Sequence, residues 1–199
     1  MCQQEQSLQR LYGCAKWLMD LVLGVGGLLF LLCVTPVVWL ANRLWSPGPL
    51  FYQQQRIGHH GRPFVVWKFR TMIADAEKQS GAVWSSQDDP RVTRVGRWLR
   101  RSRLDELPQV FNVLRGEMSF VGPRPERPEL MGRIMRRLPV YRLRHAVKPG
   151  ITGWAQVSYR YGNSVEDSRV KLEYDLYYVK HAGLLLDIFI LLKTVSVVL

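Results

Sequence analysis

The uncharged run Leu21–Ala41, LVLGVGGLLFLLCVTPVVWLA, constrains this chain more than any other feature. It is apolar on every side, which suits a buried helix of a soluble domain poorly. It also meets the ~20-residue requirement for a membrane span. No small-residue cleavage site follows it, which argues against a removable signal peptide. Thr35-Pro36 falls inside the run. Proline removes a helix hydrogen bond and clashes with the preceding turn, and the Thr35 hydroxyl can back-bond to a carbonyl at such a break. Leu21–Val34 alone gives ~21 Å of helix, short of a ~30 Å hydrocarbon core. Basic residues flank both ends, Arg10 and Lys16 before, Arg43 and Arg56 after. Positive flanks stay cytoplasmic. The simpler topology is therefore a re-entrant helix-break-helix with both ends inside; a span with the N-terminus outside is the alternative. Asp20, at the membrane edge, is expected to pair with Lys16 one turn earlier or to remain solvated. Gly24, Gly26 and Gly27 echo a dinucleotide fingerprint, but no strand precedes them, and close helix packing is the better reading.

The remainder of the chain is strongly basic. Its 199 residues carry a formal net charge of +12 with a pI near 10.1, which favours anionic partners: nucleic acid, anionic lipid or phosphorylated substrates. A hydrophobic content of 47% excludes a disordered tail. Cys2, Cys14 and Cys33 all precede the basic body, none forms a CxxC, and no Cys/His cluster has metal-ligand spacing. That usage fits a reducing compartment and places the basic body in the cytoplasm. Cys14 is read as an apolar filler.

Ser46-Pro-Gly-Pro49 punctuates the end of the anchor. Two segments are suggested, 1–45 as N-terminal membrane segment and 46–199 as catalytic body. Leu50–Gln55 and Pro63–Phe69 read as strands joined by a turn at Gly58-His-His-Gly61. Gly81–Asp89 reads as loop, and Pro90–Arg101 as a helix with Val92, Val95, Trp98 and Leu99 on one face. Six arginines lie between Arg91 and Arg103, a surface for phosphates or anionic headgroups. Ser102 is the expected N-cap of a next helix from Leu104, with Pro108 in its first turn and Gly116 as its stop. Asp105 and Glu106 would then sit at the positive end of a helix dipole. Glu126–Arg144 reads as a basic helix on the membrane surface, and Pro149-Gly150 breaks it. Trp154–Tyr161 reads as strand-like or irregular. Val165–Val179 reads as helix, and Leu184–Leu199 as a helix at the interface or packed on the core. The fold class is α/β, mostly helical with a small β element.

The segment with the most chemistry runs from Leu104 to Pro125. Phosphoryl transfer needs a nucleophile, cations for the equatorial oxygens and usually Mg²⁺. An aspartate can supply the nucleophile as an acyl phosphate. Adjacent helix positions do not share a face, so Asp105 and Glu106 should have different jobs. Arg124, between Pro123 and Pro125, is held stiffly, which suits bidentate phosphate recognition.

From about Lys16 to Leu199 the chain resembles the small monotopic phosphoglycosyl transferases of the bacterial sugar transferase family. The resemblance runs through Thr35-Pro36, Ser46-Pro-Gly-Pro49, Lys68-Phe-Arg-Thr-Met72, Leu104-Asp-Glu-Leu107, Met118-Ser-Phe-Val-Gly-Pro-Arg-Pro125, Lys148-Pro-Gly-Ile-Thr-Gly-Trp-Ala-Gln156 and Tyr174-Asp175 with Tyr177-Tyr178. It implies a monotopic protein of the bacterial inner membrane, its catalytic body on the cytoplasmic face. It implies two steps. Asp105 attacks the β-phosphorus of a UDP-sugar and releases UMP; undecaprenyl phosphate then takes the phosphosugar. It further implies Mg²⁺ at Asp105, assistance from Glu106, and phosphate binding by Lys68, Arg70, Arg100 and Arg124, with Arg101 and Arg103 as rivals of Arg100. Asp175 and Tyr177 are fold supports in this reading. Larger relatives carry further spanning helices and an extra domain, so the chain is expected to be the catalytic unit alone. The partners implied are the UDP-sugar, undecaprenyl phosphate and membrane lipid, with a homodimer compatible. The Tyr159-Arg-Tyr161 stretch is variable and does not reveal the sugar.

Two other readings compete. A membrane-anchored basic protein would bind anionic lipid or nucleic acid without turnover and leave Asp105 and Glu106 idle. No RNA-binding signature, zinc finger or clear helix-turn-helix supports a nucleic-acid partner. A polytopic transferase would need more membrane runs than the sequence offers.

Overall fold

The computed structural model describes residues 2–76, 89–159 and 165–198. The expected loop lies outside them up to residue 88, and so does the Tyr159-Arg-Tyr161 stretch from residue 160. Helix α1 runs from Cys2 to Trp45, ~66 Å at 1.5 Å per residue. The helix continues through Thr35-Pro36 without interruption, and the Thr35 hydroxyl donates to the Leu31 carbonyl at 2.7 Å. This i−4 back-bond bends helices without ending them. The expected break is therefore a proline within one continuous helix.

One face of α1 lies on the body of the protein. Asp20, Gly24, Leu31, Val38 and Asn42 are buried, and all four spacings between them, of four or seven residues, fall close to whole turns. Gly24 and Gly27 let it approach closely: a Cβ would lie 2.7 Å from Leu114 Cδ2 at Gly24 and 2.8 Å from Val110 Cγ1 at Gly27. Gly26 faces open space. The opposite face is apolar and exposed, with Trp17, Val22, Leu29, Leu32, Trp39 and Leu44 among its residues. Gln9–Trp45 is long and apolar enough to cross a membrane, so a membrane location follows from the exposed face rather than from a helix free of the body.

Strands β1 (Phe51–Ile57) and β2 (Pro63–Phe69) form an antiparallel hairpin with Tyr52 opposite Lys68 and Arg56 opposite Phe64. Helix α2 (Arg94–Arg101) starts later than expected, capped by the Thr93 hydroxyl accepting from Gly96 N. Val95 and Leu99 are buried, whereas Trp98 is exposed and leaves the expected apolar face. Ser102 is not an N-cap; its hydroxyl donates back to Trp98 O and Leu99 O. Arg103 instead turns the chain in the left-handed region at φ 58°. A 3₁₀ segment, Leu104–Gln109, follows and leads into α3 (Val110–Leu114). Gly116, at φ +76°, ends it as the sequence suggested.

Strand β3 (Ser119–Val121) pairs in parallel with β4 (Gly150–Thr152), a pairing with no sequence expectation behind it. The two backbones meet so closely that a Cβ at Gly150 would lie 2.1 Å from Gly122 N. Between them, α4 (Pro128–Arg137) and a 3₁₀ segment, Pro139–Ala146, bury Met131, Ile134 and Tyr141 in a core with Leu172. The apolar face expected on the membrane surface is thus largely used internally; Val140 and Leu143 remain exposed. Trp154–Ser158 forms α5, a helix where strand or irregular chain was expected. Helices α6 (Val165–His181) and α7 (Leu184–Val198) complete the chain, with Tyr178 and Ile190 buried beside Val121. The main core joins Leu31 and Val38 of α1 to Phe69, Val95, Leu99 and Val110.

Candidate active site

The site forms where the 3₁₀ segment meets the hairpin and the Pro-Arg-Pro turn. Glu106 is its centre. Lys68 Nζ donates to Glu106 Oε1 at 2.7 Å, and Arg124 grips both carboxylate oxygens, at 2.6 and 3.1 Å. Burial alone would push the Glu106 carboxyl up. Arg124 and Lys68 outweigh it and hold the group well below the usual carboxylate range.

Asp105, one residue earlier, has the opposite environment. Among the described residues its carboxylate accepts no hydrogen bond. Burial first, and then the charge of Glu106, push its pKa up, against the pull of Lys68, Arg124 and Arg100. Two neighbouring carboxylates are thus driven apart, one clamped and ionised, the other half-buried with its lone pairs uncommitted.

The turn carrying Arg124 is fixed through all three of its carbonyls. Gly150 N donates to Pro123 O at 3.0 Å, Arg144 Nη2 to Arg124 O at 2.8 Å, and Arg56 Nη1 to Pro125 O at 2.9 Å. Arg144 is itself buried; it donates to Asp175 at 2.8 Å and to the Tyr141 hydroxyl at 3.1 Å. Asp175, 1% exposed, is a fold support of the site as expected. Beside the cluster lies a shallow cleft, about 200 Å³ with its solvent-open part included, lined by Arg56, Val66, Lys68, Gln109, Arg124 and Pro125.

The other basic candidates divide. Arg100 Nε donates to Thr71 Oγ1 at 2.9 Å, and its charge reaches Asp105; Arg101 and Arg103 are exposed. Arg70 does not join the cluster. Strand β2 ends at Phe69, so the alternation that would set Arg70 beside Lys68 is lost. Its guanidinium, in a residue 6% exposed, donates to Pro49 O at 2.6 Å, to Met72 O at 3.2 Å, and to the carbonyl and hydroxyl of Ser46. It holds the Ser46-Pro-Gly-Pro49 turn.

Two features of the site escaped the sequence reading. Arg56 was counted only as a basic flank, although strand alternation and the hairpin register put Arg56, Gln54 and Tyr52 on the face of Lys68 and Val66. Asp20 and Lys16 do not pair with each other. Asp20 accepts from Ser119 Oγ at 3.0 Å and Phe120 N at 2.9 Å. Lys16 Nζ donates to Asp187 at 2.9 Å, Val121 O at 3.0 Å and Tyr178 Oη at 3.1 Å. A one-turn spacing pointed to the nearest partner; the fold supplied partners about a hundred residues away or farther.

The bacterial sugar transferase family matches residues 11–199. The chain belongs to this family. Among its relatives is a UDP-N-acetylgalactosamine-undecaprenyl-phosphate N-acetylgalactosaminephosphotransferase of Aeromonas hydrophila, 47% identical over 157 residues, covering 79% of this chain and 37% of that protein. A UDP-glucose:undecaprenyl-phosphate glucose-1-phosphate transferase of Escherichia coli (strain K12) is 44% identical over 181 residues, 88% of this chain and 38% of that protein. The sugar transferase EpsL of Bacillus subtilis (strain 168) is 42% identical over 192 residues, 92% of this chain and 87% of that protein. The chain therefore spans well under half the length of the first two relatives and most of the third. Family membership gives the uneven treatment of Asp105 and Glu106 a chemical context: a member of the bacterial sugar transferase family presenting one uncommitted carboxylate beside fixed cations.

Proposed function

We propose that this sugar transferase moves a sugar-1-phosphate from a UDP-sugar to undecaprenyl phosphate through a phosphosugar held on Asp105. The observation that carries the reading is the uncommitted Asp105 carboxylate beside a Glu106 clamped by Lys68 and Arg124. In the first step an Asp105 oxygen attacks the β-phosphorus, the bond from that phosphorus to the bridging oxygen breaks, and UMP leaves. In the second step an oxygen of the polyprenyl phosphate attacks the same phosphorus, forming the diphosphate link and returning Asp105 as a free carboxylate. Lys68 and Arg124 face the phosphate oxygens, with Arg100 at the edge; Glu106 orients the two cations. Arg70 is omitted from the phosphate set. A protein that only bound anions would have no use for an uncommitted carboxylate inside its cationic cluster.

Mg²⁺ fits this arrangement through the substrate. It takes one or two carboxylates together with phosphate oxygens and water. Among the described residues no group of three or more His, Cys, Asp or Glu gathers into a cage, and the Asp105 carboxylate has open lone pairs. Bound there, the ion would neutralise charge on the transferred phosphoryl group.

The membrane arrangement proposed has both ends of α1 on the cytoplasmic face of the inner membrane. Its support is that both ends of the apolar run touch one body: Lys16 and Asp20 reach Val121, Ser119 and Phe120, while Val38 lies in the main core. The test of the function is UMP release by the purified chain, with undecaprenyl phosphate, Mg²⁺ and a panel of UDP-sugars. Turnover with one or a few of these sugars is expected. No UMP from any would contradict the proposal.

A further inference from the structure

The active site uses only part of the arginine-rich run. Arg100 Nε turns to Thr71 Oγ1. Arg94, Arg97, Trp98 and Arg101 instead stand at i, i+3, i+4 and i+7 of α2, on one stripe. All four are exposed, Trp98 by 54%. Among the described residues none of these three arginine side chains forms an ion pair. The other faces of α2 are occupied. Val95 and Leu99 lie in the main core with Leu31 and Val38 of α1. Gly96 rests on the chain at Thr71, where a Cβ would come within 2.0 Å of the carbonyl oxygen. The helix therefore cannot roll to bury its indole, and the stripe is held outward.

Three exposed arginines alone would suit any solvated helix face. Two observations point to lipid. The first is Trp98 itself. A tryptophan bordered by arginines fits the headgroup region of a bilayer, where the indole takes the boundary with the acyl chains and the guanidiniums reach phosphates. The second is the neighbouring helix. Just past Val38, α1 exposes Trp39 and Trp45 with Arg43 between them. Two helices that share one core thus both expose tryptophan beside arginine, and one of them carries the apolar face assigned to the membrane. We propose that α2 docks on the anionic surface of the membrane. Arg94, Arg97 and Arg101 bind the phosphate groups of anionic phospholipid, and Trp98 lies among them at the edge of the acyl chains. The proposal rests on the membrane location of the chain and is independent of the bond exchange at Asp105. Its consequence for the site is positional. Four residues lead from Arg101 to Asp105, so a docked α2 holds the 3₁₀ segment at headgroup level, where a phosphate carried on a lipid lies.

The test uses the full chain in nanodiscs of phosphatidylcholine, with or without phosphatidylglycerol. The signal of Trp98 is the tryptophan emission of the wild type minus that of Trp98→Phe, an exchange at an exposed position. With phosphatidylglycerol present, this component is expected to be shielded from acrylamide and quenched by brominated phosphatidylglycerol. Each arginine should favour the docked state about fivefold at low salt, and less as salt shortens the reach of the field. Replacing Arg94, Arg97 and Arg101 together by Gln should therefore return Trp98 to water. Equal access of acrylamide to Trp98 with and without phosphatidylglycerol, at low and high salt, overturns the proposal from the wild type alone, whether or not the triple variant folds. Shielding that survives the triple substitution overturns the role of the arginines. Shielding by UDP in phosphatidylcholine nanodiscs, with none from phosphatidylglycerol, would assign the stripe to nucleotide phosphates and overturn the proposal as well.

Discussion

Two arginine–carboxylate pairs lie close together in this molecule and are used in opposite ways. Arg144 and Asp175 are closed off, with side chains 3% and 2% exposed, and the guanidinium also bonds the Tyr141 hydroxyl and the Arg124 carbonyl. Arg124 and Glu106 have nearly the same contact distance, but their side chains are 36% and 11% exposed beside an open cleft. The first pair is shut inside the protein and fixes backbone. The second faces solvent next to Asp105, whose carboxylate accepts no hydrogen bond among the described residues. Exposure and the uncommitted neighbour, rather than the ion pair itself, separate a site from a scaffold.

Breaking the closed pair should have the largest effect on folding. Arg144→Met leaves Asp175 as an uncompensated buried charge and should cost about 3–5 kcal/mol, read as a fall in the midpoint of thermal unfolding in detergent. Unchanged stability would mean that the pair is dispensable packing. The open pair should answer differently. Arg124→Lys keeps the charge but loses the two-oxygen grip. Turnover should fall by about 10²-fold or more with every UDP-sugar, whereas stability should change by about 1 kcal/mol, given the exposure of Arg124. Near-normal turnover in this variant would contradict a phosphate-facing role for Arg124.

The smallest effect has the opposite sign. Asp105 has its pKa raised in the folded protein, so its ionised form is disfavoured by folding. That cost is fully present above the raised folded value and disappears as pH falls below the unfolded value near 4. Asp105→Asn should therefore abolish turnover yet unfold at a slightly higher temperature than wild type at pH 8. The gap should narrow as pH is lowered toward 4. A variant less stable than wild type at pH 8 would place Asp105 in the scaffold.

Much of this was legible in the sequence, for local reasons. Alternation located β2 to the residue, and Gly116 stopped α3 where its positive φ was needed. Pro123 and Pro125 pointed to a turn around Arg124, and the carbonyls of all three residues accept hydrogen bonds. What the sequence withheld depends on distant chain. The parallel pairing of β3 with β4 joins two three-residue strands too short for any periodicity. The partners of Lys16 and Asp20 come from β3, α6 and α7. Arg70 resembled Lys68 by alternation, but the strand stopped one residue too soon. Ser102 had the right side chain for a cap, but Arg103 in the left-handed region put the turn elsewhere. Asp105 and Glu106 could be expected to differ; which one the cations would clamp needed the fold.

The central claim is that Asp105 is the carboxylate kept free to react while Glu106 holds the cations. Intact-mass analysis of the purified chain, incubated with its UDP-sugar and Mg²⁺ but without polyprenyl phosphate, tests it most directly. The account predicts a mass increase of one phosphosugar, stoichiometric UMP, an adduct mapping to the peptide that contains Asp105, and its loss on adding the polyprenyl phosphate. An unmodified mass with UMP formed only when both substrates are present, or an adduct on any other residue, would contradict it.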